Sequence, residues 1–182
     1  SYKVYVSSEI IEAVNDTQVN IYRDVFDHLV KPAIEAEKPD VIGISIVLQQ
    51  QMFSTMTFCA LIKQHFPNIH ITIGGNTVTR LRDVLPQSPL FQYFDSAVVY
   101  EGETAFVQLV SAVGAKRSLA EVPNTIYKDA TGVHESTTSY AEDMHALPPP
   151  DFDGLPLDKY FVPTRTLPYL ATRGCYWGRC EF

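Results

Sequence analysis

The chain has 182 residues, 46% hydrophobic and 19% charged, the balance of a folded protein with room for one core and an appendage. A net charge of −7 argues against a nucleic-acid partner, which needs basic surface to neutralise phosphates. No apolar run reaches the roughly 20 residues of a membrane span, and the opening Ser1 to Val6 is too short and too polar for a secretory signal.

Taken in chain order, Val4 to Val6 reads as a weak strand, and the mixture through Thr17 shows no period. From Asn20, placed to cap, the apolar residues Ile21, Val25, Phe26, Leu29, Val30 and Ile34 fall at helical spacing. Pro32 should bend or break that helix. Val41 to Val47 is a continuous apolar run, predicting a strand buried on both faces and therefore a parallel sheet. A second helix follows the Gln49 to Gln51 triplet, with Met52, Met56, Cys59, Ile62 and Phe66 on one stripe, so Cys59 reads as a core residue. Ile69 to Ile73 is the next strand, closed by Gly74, Gly75 and Asn76. A helix from about Val78 to Leu85, a strand from Asp95 to Tyr100 and a helix from Thr104 to Val113 complete the alternation.

This strand–helix rhythm predicts an α/β fold: a doubly wound, Rossmann- or flavodoxin-like parallel sheet with flanking helices over residues 1–121. Three parallel strands are fewer than such a sheet generally has, so either the opening residues supply an edge strand or sequence is missing before them. Residues 122–139 read as a small β-hairpin extension around the turn Asp129 to Gly132, residues 140–168 as a proline-rich linker, and residues 169–182 as the start of another domain.

Ligands of doubly wound sheets bind beyond the carboxyl ends of the strands. Three loops meet there and nominate Ser45, Gln49, Gln50, Gly74, Gly75, Asn76, Tyr100, Glu101 and Gly102. The paired glycines permit positive φ and close backbone approach, although glycine after a strand is also ordinary in α/β proteins. Ser45 could instead bond a neighbouring carbonyl, and Glu101 and Glu103 could serve the dipole of the next helix. Neither a GxGxxG fingerprint nor a P-loop lysine is present. The five histidines read as solvated or core residues.

The other chemistry lies at the end, where Cys175 and Cys180 flank Tyr176, Trp177, Gly178 and Arg179. Three cysteines, two of them clustered, fit a reducing compartment and a metal role better than a disulfide framework, which predicts a cytoplasmic protein. The string from Ala171 to Phe182 resembles the cluster-binding segment of radical SAM enzymes. Its spacing of four residues between the cysteines, rather than the usual three, resembles a subset of which many carry an N-terminal cobalamin domain. Upstream, Pro39 to Ser45, Ile71 to Gly75, Asp95 to Glu103 and the segment Val122 to Tyr127 resemble that cobalamin-binding domain in the same order.

The resemblance implies a cobalamin-binding part of a radical SAM enzyme, the parent being a methyltransferase or related radical enzyme. It implies cobalamin at the strand ends, a [4Fe–4S] cluster held in part by Cys175 and Cys180, and S-adenosylmethionine near Phe182. It also implies a C-terminal radical SAM barrel as partner, without which this stretch is not expected to be catalytically competent. Many cobalamin domains carry Asp-x-His-x-x-Gly, whose histidine ligates cobalt; here only Asp143-Met-His145 comes near, in the linker, and reads as coincidence. Two other readings stand beside this one. A flavodoxin- or receiver-like binding module without catalysis is disfavoured because the strand ends offer Ser45, Gly74 and Tyr100 where a receiver needs acidic residues, and a zinc-binding domain by the spacing of His134 and His145.

Overall fold

The structure, a computed structural model, describes residues 2–167 and residue 173. The chain divides into two compact units after residue 141, and the sheet belongs to the first. Five strands lie in sequence order: β1 (Val41–Ser45), β2 (His70–Gly74), β3 (Ser96–Val98), β4 (Thr125–Asp129) and β5 (Gly132–Glu135). The first three are parallel, whereas β4 and β5 are antiparallel. The hairpin is thus part of the main sheet, and it brings the three parallel strands to five.

Strand register sorts the side chains into two unlike faces. Ile44, Ile73, Ala97 and Ile126 stand opposite one another across four strands, with Ile42 beside Ile71. This face packs into the main core with Met52, Met56, Cys59 and Ile62 of α4 (Gln51–His65) and Ile10 and Val14 of α1 (Ser7–Asn15). Cys59 is fully buried, and that burial pushes its thiol up to about 12. On the opposite face Gly43, Thr72, Ser96, Tyr127 and His134 form the row. Helix α6 (Glu103–Gly114) packs on it through Ala105, Leu109 and Ala112, which cluster with Val98 and Tyr127 and with Leu119 and Val122 of the segment that follows. Here the expectation for the first strand fails: β1 is an edge strand, with Gly43 and Ser45 exposed. Its apolar run satisfies one face only.

The opening segment also differs from expectation. Instead of a strand at Val4 to Val6, a turn leads into α1, with Glu9 Oε2 accepting the Lys3 backbone N–H at 2.7 Å. Ile10, Ala13 and Val14 form a short buried stripe, too brief to stand out among polar and β-branched neighbours. The next helix runs as α2 (Tyr22–Val25), a π turn (Phe26–Val30) and α3 (Lys31–Glu37). The wide turn directly precedes Pro32, whose missing N–H and bulky ring disturb the ordinary ladder. Lys38 at φ 48° and Pro39 end the element. The fifth helix, α5 (Asn76–Arg80), is shorter than expected and gives way to 3-10 turns around Pro86 and Pro89. Residues 142–167 contain one 3-10 turn, Leu157–Lys159, and no strand.

At the amino ends of β2 and β3, Asp95 Oδ2 accepts from Lys63 Nζ at 2.5 Å and from the Ile71 N–H at 2.7 Å. Nearby, His70 Nε2 lies 2.8 Å from Ser96 Oγ, and burial holds its pKa below the usual 6.5. A histidine whose folded pKa is depressed binds fewer protons folded than unfolded. Its contribution is complete above pH 6.5 and is lost as the pH falls below that value. Urea midpoints should therefore decline between pH 6.5 and 5, above the range in which the carboxylates titrate. His70→Gln should flatten that slope; an unchanged slope would remove His70 as its source.

Candidate functional site

The carboxyl ends of β1 to β3 open into a cavity of about 320 Å³ on the sparsely covered face of the sheet. Ser45, Gly74, Gly75, Tyr100 and Gly102 of the nominated set line it. Gln49, Gln50, Asn76 and Glu101 lie outside the lining: Gln50 leads into α4, Asn76 opens α5, and the Glu101 carbonyl accepts from Asn124 Nδ2 at 3.2 Å. Glu103 is the first residue of α6, where the helix dipole favours a carboxylate.

Close backbone approach shapes the floor. Gly75 has φ 94° and ψ 177°, a region open essentially to glycine. A Cβ there would stand 2.8 Å from the Ile46 carbonyl oxygen and 2.9 Å from Ser45 Oγ. Gly43 serves differently, since a Cβ on it would lie 2.9 Å from Cε2 of Phe106. The missing side chain lets that ring lean from α6 over the edge strand.

Polar residues outside the cavity fix its loops. Gln51 Oε1 accepts the N–H groups of Val47 and Leu48, both at 2.8 Å, and Thr77 Oγ1 donates to the Val47 carbonyl at 2.9 Å. Tyr100 is held at φ 61°, unusual for a non-glycine residue, with its N–H on Thr79 Oγ1 at 2.8 Å and its ring 5.1 Å from the Arg82 guanidinium. Asn124 donates through Nδ2 to the carbonyls of Glu101 and Tyr140, and its Oδ1 accepts the Tyr140 N–H. Of these, sequence reasoning nominated only Tyr100 and Glu101, because the signal of the others is pairing across loops.

Residues 8–110 match the family of B12 binding domains. The chain belongs to that family. Over 149 residues it is 29% identical to an uncharacterized methyltransferase of Pyrococcus horikoshii, an alignment covering 79% of this chain and 31% of the relative. Two solved structures of TsrM, a radical S-adenosylmethionine methyltransferase from Kitasatospora setae, share the fold. The one with tryptophan and a SAM analogue is 15% identical at a TM-score of 0.50, covering 75% of this chain and 27% of TsrM. The one with cobalamin and a [4Fe–4S] cluster is 16% identical at 0.50, covering 72% and 24%. The chain therefore spans less than a third of the length of these relatives.

As a B12 binding domain, the chain has a cavity whose lining suits the uncharged portion of such a ligand. The lining carries no acidic or basic side chain, and glycines supply its close walls. Gly43, Ile44, Thr72, Ile73, Val98 and Phe106 are the lining residues that the loop-based expectation missed, since they sit on strand and helix faces. Cys175, Cys180 and Phe182 lie outside the described residues. Among the described residues no group of histidine, cysteine, aspartate and glutamate could hold a metal ion, and no helix is long and apolar enough to cross a membrane.

Proposed function

We propose that this chain is the cobalamin-binding part of a radical SAM methyltransferase or related radical enzyme. The observation that carries it is the family match across the three parallel strands and their helices, together with an uncharged, glycine-walled cavity at the carboxyl end of that same sheet. When bound, cobalamin supplies a cobalt centre able to carry a methyl group.

The division of labour follows from size. A cavity of about 320 Å³ admits a planar heterocycle with its sugar but not a corrin macrocycle. Ser45, Gly74, Gly75, Tyr100 and Gly102 would hold the nucleoside end, and Phe106 would offer its ring face. The macrocycle would lie over the strand ends toward Gln49, Gln50, Asn76 and Glu101. Val47 and Leu48, both more than half exposed, give that rim an apolar surface. In the intact parent, Cys175 and Cys180 would be two of the thiolate ligands of a [4Fe–4S] cluster and Phe182 a neighbour of S-adenosylmethionine, both assigned on the motif alone, with the radical SAM barrel as the partner domain. A protein of this kind would work in the cytoplasm.

Anaerobic titration of the chain with hydroxocobalamin, followed by visible absorbance and gel filtration, tests the reading. Co-elution at one equivalent is expected; no binding at high micromolar ligand would overturn it, and retention of FMN instead would favour a flavodoxin-like module. The position of His145 gives a second check. It sits in an exposed turn with its N–H on Asp143 Oδ1 at 2.9 Å, and belongs to a different unit of the chain from the cavity residues. His145→Ala should leave hydroxocobalamin affinity within about twofold of wild type, well under the tenfold that 1.4 kcal/mol represents. A large loss would make it a cobalt ligand after all.

A further inference from the structure

A further concavity lies at the opposite end of the sheet. Its lining includes His70, which begins β2, whereas the cavity described above lies at Gly74, which ends that strand. The volume is about 310 Å³. Buried Leu119 and Tyr127 and half-buried Val113, all of the smaller hydrophobic cluster, supply its apolar lining. Lys116 and Arg117, just past the end of α6, and Lys128 of β4 supply exposed cations.

Such a concentration of positive charge stands out in a chain of net charge −7. None of the three cations makes an ion pair among the described residues, and the Arg117 guanidinium donates only to the neutral Ser111 Oγ, at 3.3 Å. The one carboxylate in the lining, Asp129, is taken up by its own turn, where it accepts from the Thr131 N–H and hydroxyl at 2.7 and 2.6 Å. Three positive charges against one negative leave +2. The dipole of α6 favours cations at its C-terminal end, but it gives no reason for Lys128, which arrives from another element. Lys116 is also held at φ 52°, a conformation that glycine adopts without strain. Backbone conformation alone would not select a lysine there.

An apolar lining with a few charged groups matches an apolar body that bears an anion. A surplus of two charges suits the dianion of a phosphate monoester better than a single carboxylate, and phosphate oxygens accept from several cations at once. The flexible stem of lysine lets its ammonium close on such a group.

We propose that this concavity is a further binding site, for a small phosphate monoester whose apolar body lies against Leu119 and Tyr127 and whose phosphate is held by Lys116, Arg117 and Lys128. It stands apart from the cobalamin reading, because the two cavities share no lining residue.

Phenyl phosphate is the probe, titrated into the full chain at low salt and followed by amide NMR shifts. Saturable shifts should map to residues 116–119 and 127–129, with half-saturation below about 5 mM. Lys128→Gln and Lys116→Gly should each weaken binding about tenfold, the loss of one charge-assisted contact. Without ligand, Lys116→Gly should melt at or above wild type, which separates its weaker binding from any failure to fold. Lys31→Gln, on a helix that packs into the main core, should change the affinity less than about twofold. Phenol, benzoate and inorganic phosphate should each bind at least about tenfold more weakly than phenyl phosphate. The proposal fails if no saturable shift appears by about 20 mM, if the shifts map elsewhere, or if Lys128→Gln binds as wild type does. It fails equally if phenol or inorganic phosphate binds as tightly as the probe, which would leave a bare apolar pocket or an unspecific anion contact.

Discussion

Gly75→Ala should cost about 3–5 kcal/mol of folding stability, the sum of a φ near 94° forced on an alanine and an overpacked contact with backbone. The contact cannot relax cheaply. The atoms it meets are the Ile46 carbonyl oxygen at 2.8 Å and the Ile46 nitrogen at 3.0 Å. Both are committed: that nitrogen donates to the Gly74 carbonyl at 2.8 Å, and that oxygen accepts from the Thr77 N–H at 3.1 Å. These bonds join the end of β1 to the start of α5, so strain there also distorts the cavity wall. Gly74→Ala is the control. Its Cβ would stand 3.4 Å from the Val98 carbonyl oxygen, an ordinary contact, without positive φ, so a stability within about 1 kcal/mol of wild type is expected. Urea denaturation of the two variants decides the matter: equal midpoints would mean that Gly75 is not the constrained member of the pair.

The second large effect belongs to Asp95, at the opposite end of the sheet. Its carboxylate holds the Lys63 ammonium and the Ile71 N–H, and its own N–H and carbonyl bond to Ile71 and Lys128. Lys63 also donates to the Ile69 carbonyl at 2.9 Å, so one ion pair ties α4 to two strands. The Lys63 and Asp95 side chains are 25% and 32% exposed, which reduces the penalty below that of a fully buried pair. Asp95→Ala should lose about 2–4 kcal/mol, because an ammonium and an amide are both left unpaired. Asp95→Asn keeps an acceptor for the Ile71 N–H and should lose about half as much. Chemical denaturation at pH 7 measures both; an alanine variant as stable as the asparagine one would show that the amide bond contributes nothing.

Much of the fold was legible because its strands are short apolar runs bounded by glycine, proline and polar residues. Val41 to Val47 and Ile69 to Ile73 announce themselves in this way. What escaped depends on pairing between distant segments. That Val98 lies opposite Thr125 is not written in either segment, so the hairpin read as an extension although it continues the sheet. Sidedness was hidden for a related reason: isoleucine every second residue leaves the intervening Gly43 and Ser45 free to face open space, and the run looks uniform only by composition. The loops gave up part of the site, since strand ends can be located from sequence. Thr72 gave no warning, because threonine is common in strands and its place in the cavity lining exists only in three dimensions. The alternation of Ile71, Thr72 and Ile73 does hold the signal that one face of β2 differs from the other.

The row Gly43, Thr72, Ser96, Tyr127 and His134 has one more consequence. Side-chain bulk is nothing at β1, small at β2 and β3, and largest at β4 and β5, where two rings lie 5.6 Å apart. The sheet surface is therefore a ramp, thick under the hairpin and thin at the edge strand. Over the thin edge Phe106 of α6 fills the space, its Cε2 2.9 Å from where a Cβ on Gly43 would stand. The width of the binding cleft is set by that taper across the strands, so its capacity can be tuned from Gly43 without altering a single loop.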